Sequence, residues 1–393
     1  MTRNESKAPT TKTLHSPESR IVGALASAAV GDAIGGATEG WMHEQIMEHW
    51  GGFVLGLAPM RKQATISPWL ERGHGRVTDD TLMTNLMIDT ITELNRHIDA
   101  FDLGDVFVPK MAFEKRWLPE MQIESNVLNR VFLAEKYLVL KLLVVKSDPR
   151  EAGVGNAVNC GAAMYASPIG LINAGRPERA YDEAISVFGA HQASYGREAA
   201  GVLAACVAEA ASPDGSSVER ITKVALGLSK DGTHDAIAAV LDVSKEFNDW
   251  QSAVTSGRVR AAIAPFDTVG AKYRQPDMGA KLPSRTKSIE ELPVALAMLQ
   301  ITDGDVRETI LAGTNYGRDA DSIASMGGAI AGALGGADSV PSDWAAKVEE
   351  ASGFSIYEPA RRLAKSAAVI AKDDLAAMVR DMEMVQKLLP QNG

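Results

Sequence analysis

Cysteine is nearly absent: Cys160 and Cys206 are the only two in 393 residues. That is too few for a disulfide framework or a Cys-rich zinc site, so a reducing, cytoplasmic setting is the expectation. Aromatic residues are scarce at 6%, and bases are outnumbered by acids, 40 to 50, for a net charge of -10. General nucleic-acid surfaces and anionic membrane surfaces draw their affinity from basic patches, so neither is expected here. An anionic ligand would need a local site. The stretch Met1 to Lys12 carries charges without an apolar core and reads as neither a signal peptide nor a membrane anchor.

Small and apolar residues are abundant instead. The chain is 46% hydrophobic with 35 glycines, a composition that suits helices packed closely against one another. A flexible tail is expected over 1–16, followed by a domain over 17–393, because Ser16-Pro17-Glu18-Ser19 is a helix-start pattern. Ile21 to Gly36 then reads as a buried first helix with small residues on more than one face, ending in a Gly-rich break before Glu39. Asp32 reads as a structural acid that satisfies backbone donors in that break.

Acids gather at the starts of two apolar helices. Thr78-Asp79-Asp80-Thr81 precedes a periodic pattern with Leu82 and Leu86 inward, and Asp319-Ala320-Asp321-Ser322 precedes the Gly/Ala-rich run Ile323 to Ala337. Carboxylate and hydroxyl oxygens are what Mg²⁺, Mn²⁺ or Ca²⁺ select. The same residues are also favoured helix caps, so each segment alone admits either reading. Between them, 98–155 reads as further helices with periodic apolar positions Val127, Leu128, Val131, Phe132 and Leu133. The small-residue loop Gly153 to Met164 can bring backbone N–H groups to a phosphate or serve a tight helix crossing. His191 stands before an Ala-rich helix, Ala199 to Ala211, where it can donate to a ligand or simply pack. Tyr273, Arg274 and Arg285 are either mouth residues or solvated surface, and after Val340 amphipathic helices end in fraying residues.

Gly31-Asp32-Ala33-Ile34-Gly35, Thr78-Asp79-Asp80-Thr81, Asn159-Cys160-Gly161-Ala162-Ala163-Met164 with Pro168-Ile169-Gly170, and Asn315 to Ala324 together resemble the ADP-ribosylglycohydrolase family, in its order. The resemblance spans Ile21 to Ala337. It implies a single compact all-α multi-helix bundle with two neighbouring Mg²⁺ or Mn²⁺ ions in a central cleft. By matching position it assigns Thr78, Asp79 and Asp80 to metal from one side, and Asp319, Asp321 and Ser322 from the other. It makes Glu39 and Asp80 the candidates for proton transfer, and Asn159, Cys160, Gly161, Ala162 and His191 the segments that hold ADP-ribose.

The implied substrate is an ADP-ribosylated protein or a small ribosylated molecule, and the implied reaction breaks the ribosyl C1″ bond. An N-glycosidase for a small ribosylated compound and a non-catalytic, crystallin-like or ADP-ribose-binding relative are the alternative readings. Three positions depart from the family pattern: Arg318 replaces a second Gly, Ser322 a Thr, and Tyr165 an Arg. Ser322 keeps the hydroxyl, and Arg318, beside the acids, is an added candidate for substrate contact.

Overall fold

The computed structural model of the chain describes residues 15–60, 71–267 and 289–389. The expected tail therefore lies outside the described residues but for its last two, and Tyr273, Arg274 and Arg285 also lie outside them. Ser16 accepts a hydrogen bond from the Ser19 N–H at 3.1 Å and opens helix α1 (Pro17–Gly35), with Pro17 in the first turn. Helix α2 (Asp79–Leu94) follows, then strands β1 (Lys115–Leu118) and β2 (Ile123–Asn126), and helix α3 (Leu133–Val139). Helices α4 (Ser194–Ala210), α5 (Glu291–Ile301), α6 (Val306–Tyr316), α7 (Ala320–Gly335) and α8 (Tyr357–Leu388) complete the frame of the site.

The fold is all-α, as expected, with one correction among the described residues. The stretch 98–155, read as further helices, contains an antiparallel hairpin in which Leu118 pairs with Ile123. Phe132 and Leu133, two of the periodic apolar positions, are exposed, because Val127–Asn129 is a single 3₁₀ turn and the helical phase restarts at Leu133. No described helix is long and apolar enough to cross a membrane.

Helices α1 and α7 cross at the centre, antiparallel and almost in backbone contact. Gly23, Ser27, Gly31 and Gly35 recur every four residues on α1, one stripe of a helix face. They meet Gly332, Gly328, Ala324 and Ala320 on α7: a Cβ added at Gly23, Gly31 or Gly35 would run into the carbonyl oxygen of its partner. The four pairs are in strict register. One result is that the C-terminal end of α1, and the break after it, lies against the first turn of α7.

The break is fastened to the turn that precedes α7. Thr38 Oγ1 donates to the Thr314 carbonyl at 2.6 Å, Gly40 N–H donates to Arg318 O at 2.6 Å, and Arg318 N–H donates to Trp41 O at 2.7 Å. Gly317 and Arg318 both hold positive φ, 81° and 62°. That left-handed conformation is where glycine is the least strained choice, which explains why a non-Gly residue at 318 stands out.

Helix α8 packs through Ala360, Leu363, Ala367 and Ile370, all buried. Its last anchor is Asp374, which accepts from Arg179 at 2.7 Å, Arg176 at 2.6 Å and His97 at 3.1 Å. His97 also reaches Glu183 at 2.7 Å. Burial alone would lower the His97 pKa, but the two carboxylates outweigh it and the net shift is upward. A raised folded-state pKa stabilises fully below the unfolded value of about 6.5 and is lost as pH rises through the folded one. Thermal stability is therefore expected to fall as pH rises from about 6.5 through the raised folded value, and His97→Gln to flatten that fall, as differential scanning calorimetry across pH would show.

Candidate metal centre

Asp32 links the two acidic helix starts. It is fully buried on α1, and its carboxylate accepts from the Thr78 N–H at 3.1 and 3.0 Å, from the Thr81 N–H at 3.1 Å and from the Thr81 hydroxyl. It is a structural acid, as expected, but the donors belong to the first turn of α2 and not to the break after α1. Thr78 caps the same helix, accepting from Asp80 N–H at 3.3 Å. Asp319 occupies the cap position of α7 without making a side-chain cap bond. Capping thus accounts for Thr78 and leaves the α7 acids unexplained.

Those acids converge. Ligand atoms of Glu39, Asp319 and Asp321 lie within 4.8 Å of one another, and so do those of Cys160, Glu291 and Asp319. The Cys160 thiol donates to Asp319 Oδ2 at 3.0 Å and stands 3.6 Å from Ser322 Oγ. Asp79 takes a different partner, Arg130, at 3.1 Å. Arg130 also pairs with Glu120, which in turn binds Arg72 at 3.0 Å, and Arg72 pairs with Glu39. This buried chain of alternating charge ties Glu39 on one wall to Asp79 on the other.

The electrostatics are those of too many carboxylates in too little water. Burial first, and then Asp321, Asp32, Asp79 and Asp319, push the Asp80 pKa well above its ordinary value. Burial and Asp321 do the same to Asp319, and raise Asp32 to about 7. Burial and the neighbouring acids hold the Cys160 thiol in its neutral form. Asp80 Oδ1 and Asp321 Oδ1 are buried with no hydrogen-bond partner among the described residues, and each such atom costs about 1–3 kcal/mol, more when charged. A cation offsets both the repulsion and the missing bonds. The donor set is carboxylate and hydroxyl oxygen, which fits a hard divalent ion.

The residues expected to hold ADP-ribose divide into two groups. Asn159 is half-buried, its amide oxygen accepting from Gly161 N–H at 3.0 Å and Gln192 Nε2 at 2.8 Å, and Cys160 faces the acids. Gly161, Ala162 and His191 stand behind that wall. The Gly161 N–H is taken by Asn159, Ala162 is fully buried, and the His191 ring is fully buried with Nδ1 2.9 Å from the Tyr165 hydroxyl. Helix α4 starts at Ser194, not Ala199, so His191 precedes it by three residues and packs inward. Arg318, expected toward substrate, extends its guanidinium to buried Glu290, with Nε 2.9 Å from Oε2.

Sequence reasoning missed several participants. Glu291 follows Glu290 immediately before the apolar run Leu292 to Ile301, the same acid-before-helix signal that marked the other two segments. Glu135 had no such signal. It is almost fully buried, its pKa is raised to about 7 by burial and by Asp79, and it lies 3.7 Å from His191 Nε2. A Cβ on Gly161 would collide with Glu135 Oε1. Gly161→Ala is therefore expected to displace the 159–162 wall and cut activity, and Gly161→Ala with Glu135→Ala to recover part of the loss, measured as kcat/KM of the single and double variants.

A family model described as ADP-ribosylglycohydrolase matches residues 13–380. The chain is 27% identical over 344 residues to human ADP-ribosylhydrolase ARH3, covering 83% of this chain and 88% of that protein. It is 24% identical over 349 residues to the uncharacterized protein YegU of Escherichia coli (strain K12), covering 88% and 96%. A solved structure titled ADP-ribosylglycohydrolase-related protein complex superposes with a TM-score of 0.58 at 18% identity, covering 89% of this chain and 99% of that one, a likeness of fold.

Proposed function

Because the chain belongs to the ADP-ribosylglycohydrolase family, a family of hydrolases, we propose that it hydrolyses the ribosyl C1″ glycosidic bond of an ADP-ribosylated substrate with the help of two Mg²⁺ or Mn²⁺ ions. The observation that carries this reading is the pair of partnerless carboxylate oxygens, on Asp80 and Asp321, buried at facing helix starts. A purely structural relative has no use for such an arrangement, which costs stability. The family match and the name of the human relative support an ADP-ribosyl substrate.

Thr78, Asp79 and Asp80 from α2, and Asp319, Asp321 and Ser322 from α7, would hold the ions. Bound divalent ions supply Lewis acidity toward oxygen and lower the pKa of water. Glu39 is the base of choice because its side chain is 22% exposed, whereas Asp80 is buried at 3% exposure. Arg72 holds the Glu39 carboxylate in place, so it can accept a proton from the water that attacks C1″. As that C–O bond forms, the bond from C1″ to the leaving nitrogen or oxygen breaks, and the leaving group takes up a proton. The surrounding carboxylates favour the positive charge that develops on the ribose.

Cys160 orients Asp319 through its thiol proton, Asn159 lines the wall that the ADP-ribose meets, and Gly161, Ala162 and His191 support that wall from behind. Arg318 acts through Glu290 as a brace for the turn before α7. The substrate is identified by metal-dependent release of ADP-ribose or ribose from ADP-ribosyl-arginine, ADP-ribosyl-serine, O-acetyl-ADP-ribose and ribonucleosides. Release from an ADP-ribosyl compound is expected. Cleavage of nucleosides alone would transfer the reading to a small-molecule N-glycosidase, and no turnover with bound metal to a binding role.

A further inference from the structure

Beyond Asp374 the helix α8 leaves the body of the protein but keeps an apolar stripe. Leu375 is 62% exposed, Met382 63% and Leu389 59%, with Met378 and Val385 between them also open. The spacing 371, 375, 378, 382, 385, 389 alternates four and three from Ala371, the seam of a coiled coil. A lone helix of this length is marginal in water, and one that also exposes five large apolar side chains on one line lacks a reason to be helical in a monomer.

We propose that this seam pairs antiparallel with the same seam of a second copy of the chain. Two-fold pairing about Arg380 places Ala371 against Leu389, Leu375 against Val385, and Met378 against Met382, each layer joining a smaller or flexible residue to its complement. Each layer repeats across the axis, so the stripe is complementary to itself.

Charge points the same way. Among 372–389 the bases are Lys372, Arg380 and Lys387 and the acids Asp373, Asp374, Asp381 and Glu383. Asp374 is already paired with Arg176 and Arg179, so the rest of the strip is balanced on a chain of net charge -10. Two copies meet there with little net repulsion, the one like-charge contact being Asp381 against its own copy near the axis. The balance also disfavours an anionic membrane, which selects helices rich in Lys and Arg.

At the root of the seam lies an apolar groove of 450 Å³ lined in part by Ile21, Leu171, Ile172, Pro213, Ala368 and Ala371. The antiparallel arrangement brings the partner's Leu388 and Leu389 to its rim. The paired stretch is about 28 Å long on a helix about 10 Å wide, smaller than standard specific interfaces, so association is weak and depends on concentration.

Sedimentation velocity of the full chain over a concentration series tests the proposal. The mass is expected to rise from 41.8 kDa toward twice that value. Leu375→Glu and Met382→Glu, both at exposed positions, are each expected to weaken association by at least about tenfold with an unchanged circular dichroism spectrum. Orientation is read by oxidation, since Cys160 and Cys206 are buried. Asp381→Cys, which faces its own copy across the axis, should cross-link, and Leu375→Cys should not. A monomer at every concentration, a dimer indifferent to Leu375→Glu, or cross-linking through Leu375→Cys alone would overturn the pairing.

Discussion

Asp321→Ala is expected to lower kcat/KM by roughly 10³-fold or more, the scale of a lost metal contribution of several kcal/mol, and at the same time to stabilise the metal-free protein. Asp321 raises the pKa of both Asp80 and Asp319, a sign that its charge presses on each of them. Removing it relieves that repulsion and deletes one partnerless buried oxygen, a gain of about 1 kcal/mol on the scale of ordinary stabilising substitutions. Wild type should gain thermal stability on adding Mg²⁺ or Mn²⁺, by mass action, whereas the variant should not. Thermal melts with EDTA and with metal, alongside activity, read both halves. A variant that loses activity but keeps the metal-induced shift would remove Asp321 from the ligand set.

Gly31→Val and Gly332→Val are expected to be the most damaging substitutions for stability, each costing about 3 kcal/mol or more. A Cβ at Gly31 strikes the Ala324 carbonyl, and one at Gly332 strikes the Gly23 carbonyl. Backbone cannot swing aside as a side chain can, so α1 and α7 must separate. Separation moves Asp32, and with it the first turn of α2 that bears Thr78, Asp79 and Asp80, away from Asp319 and Asp321, so metal affinity should fall with stability. A control lies in Gly227, where a Cβ meets nothing within 4 Å and Gly→Ala in a helix is neutral or favourable. Chemical denaturation of the three variants gives the comparison.

The candidate metal centre was legible because its parts are local motifs. Thr78-Asp79-Asp80 and Asp319-Ala320-Asp321 each announce themselves as acids before an apolar run, and pairing them needed only the idea that carboxylates are costly to bury together. The small-residue stripe Gly23, Ser27, Gly31, Gly35 was visible as closely packed helix, but its register against α7 was not, since register is set by two surfaces at once. Glu135, Glu120 and Arg130 were illegible for the same reason: a lone charged residue in a mixed stretch acquires meaning only from what it meets. Arg318 differs again. Its position beside the acids suggested a ligand contact, while the structure pairs its guanidinium with buried Glu290, a partner that no local pattern announces.

Release of ADP-ribose from an ADP-ribosylated substrate, followed with Mg²⁺ or Mn²⁺ and again after EDTA, tests the central claim most directly. The account predicts release that stops with chelation, returns with added metal, and is absent from the Asp79→Ala, Asp321→Ala double variant at every metal concentration. Undiminished release in EDTA, or from that double variant, would contradict it.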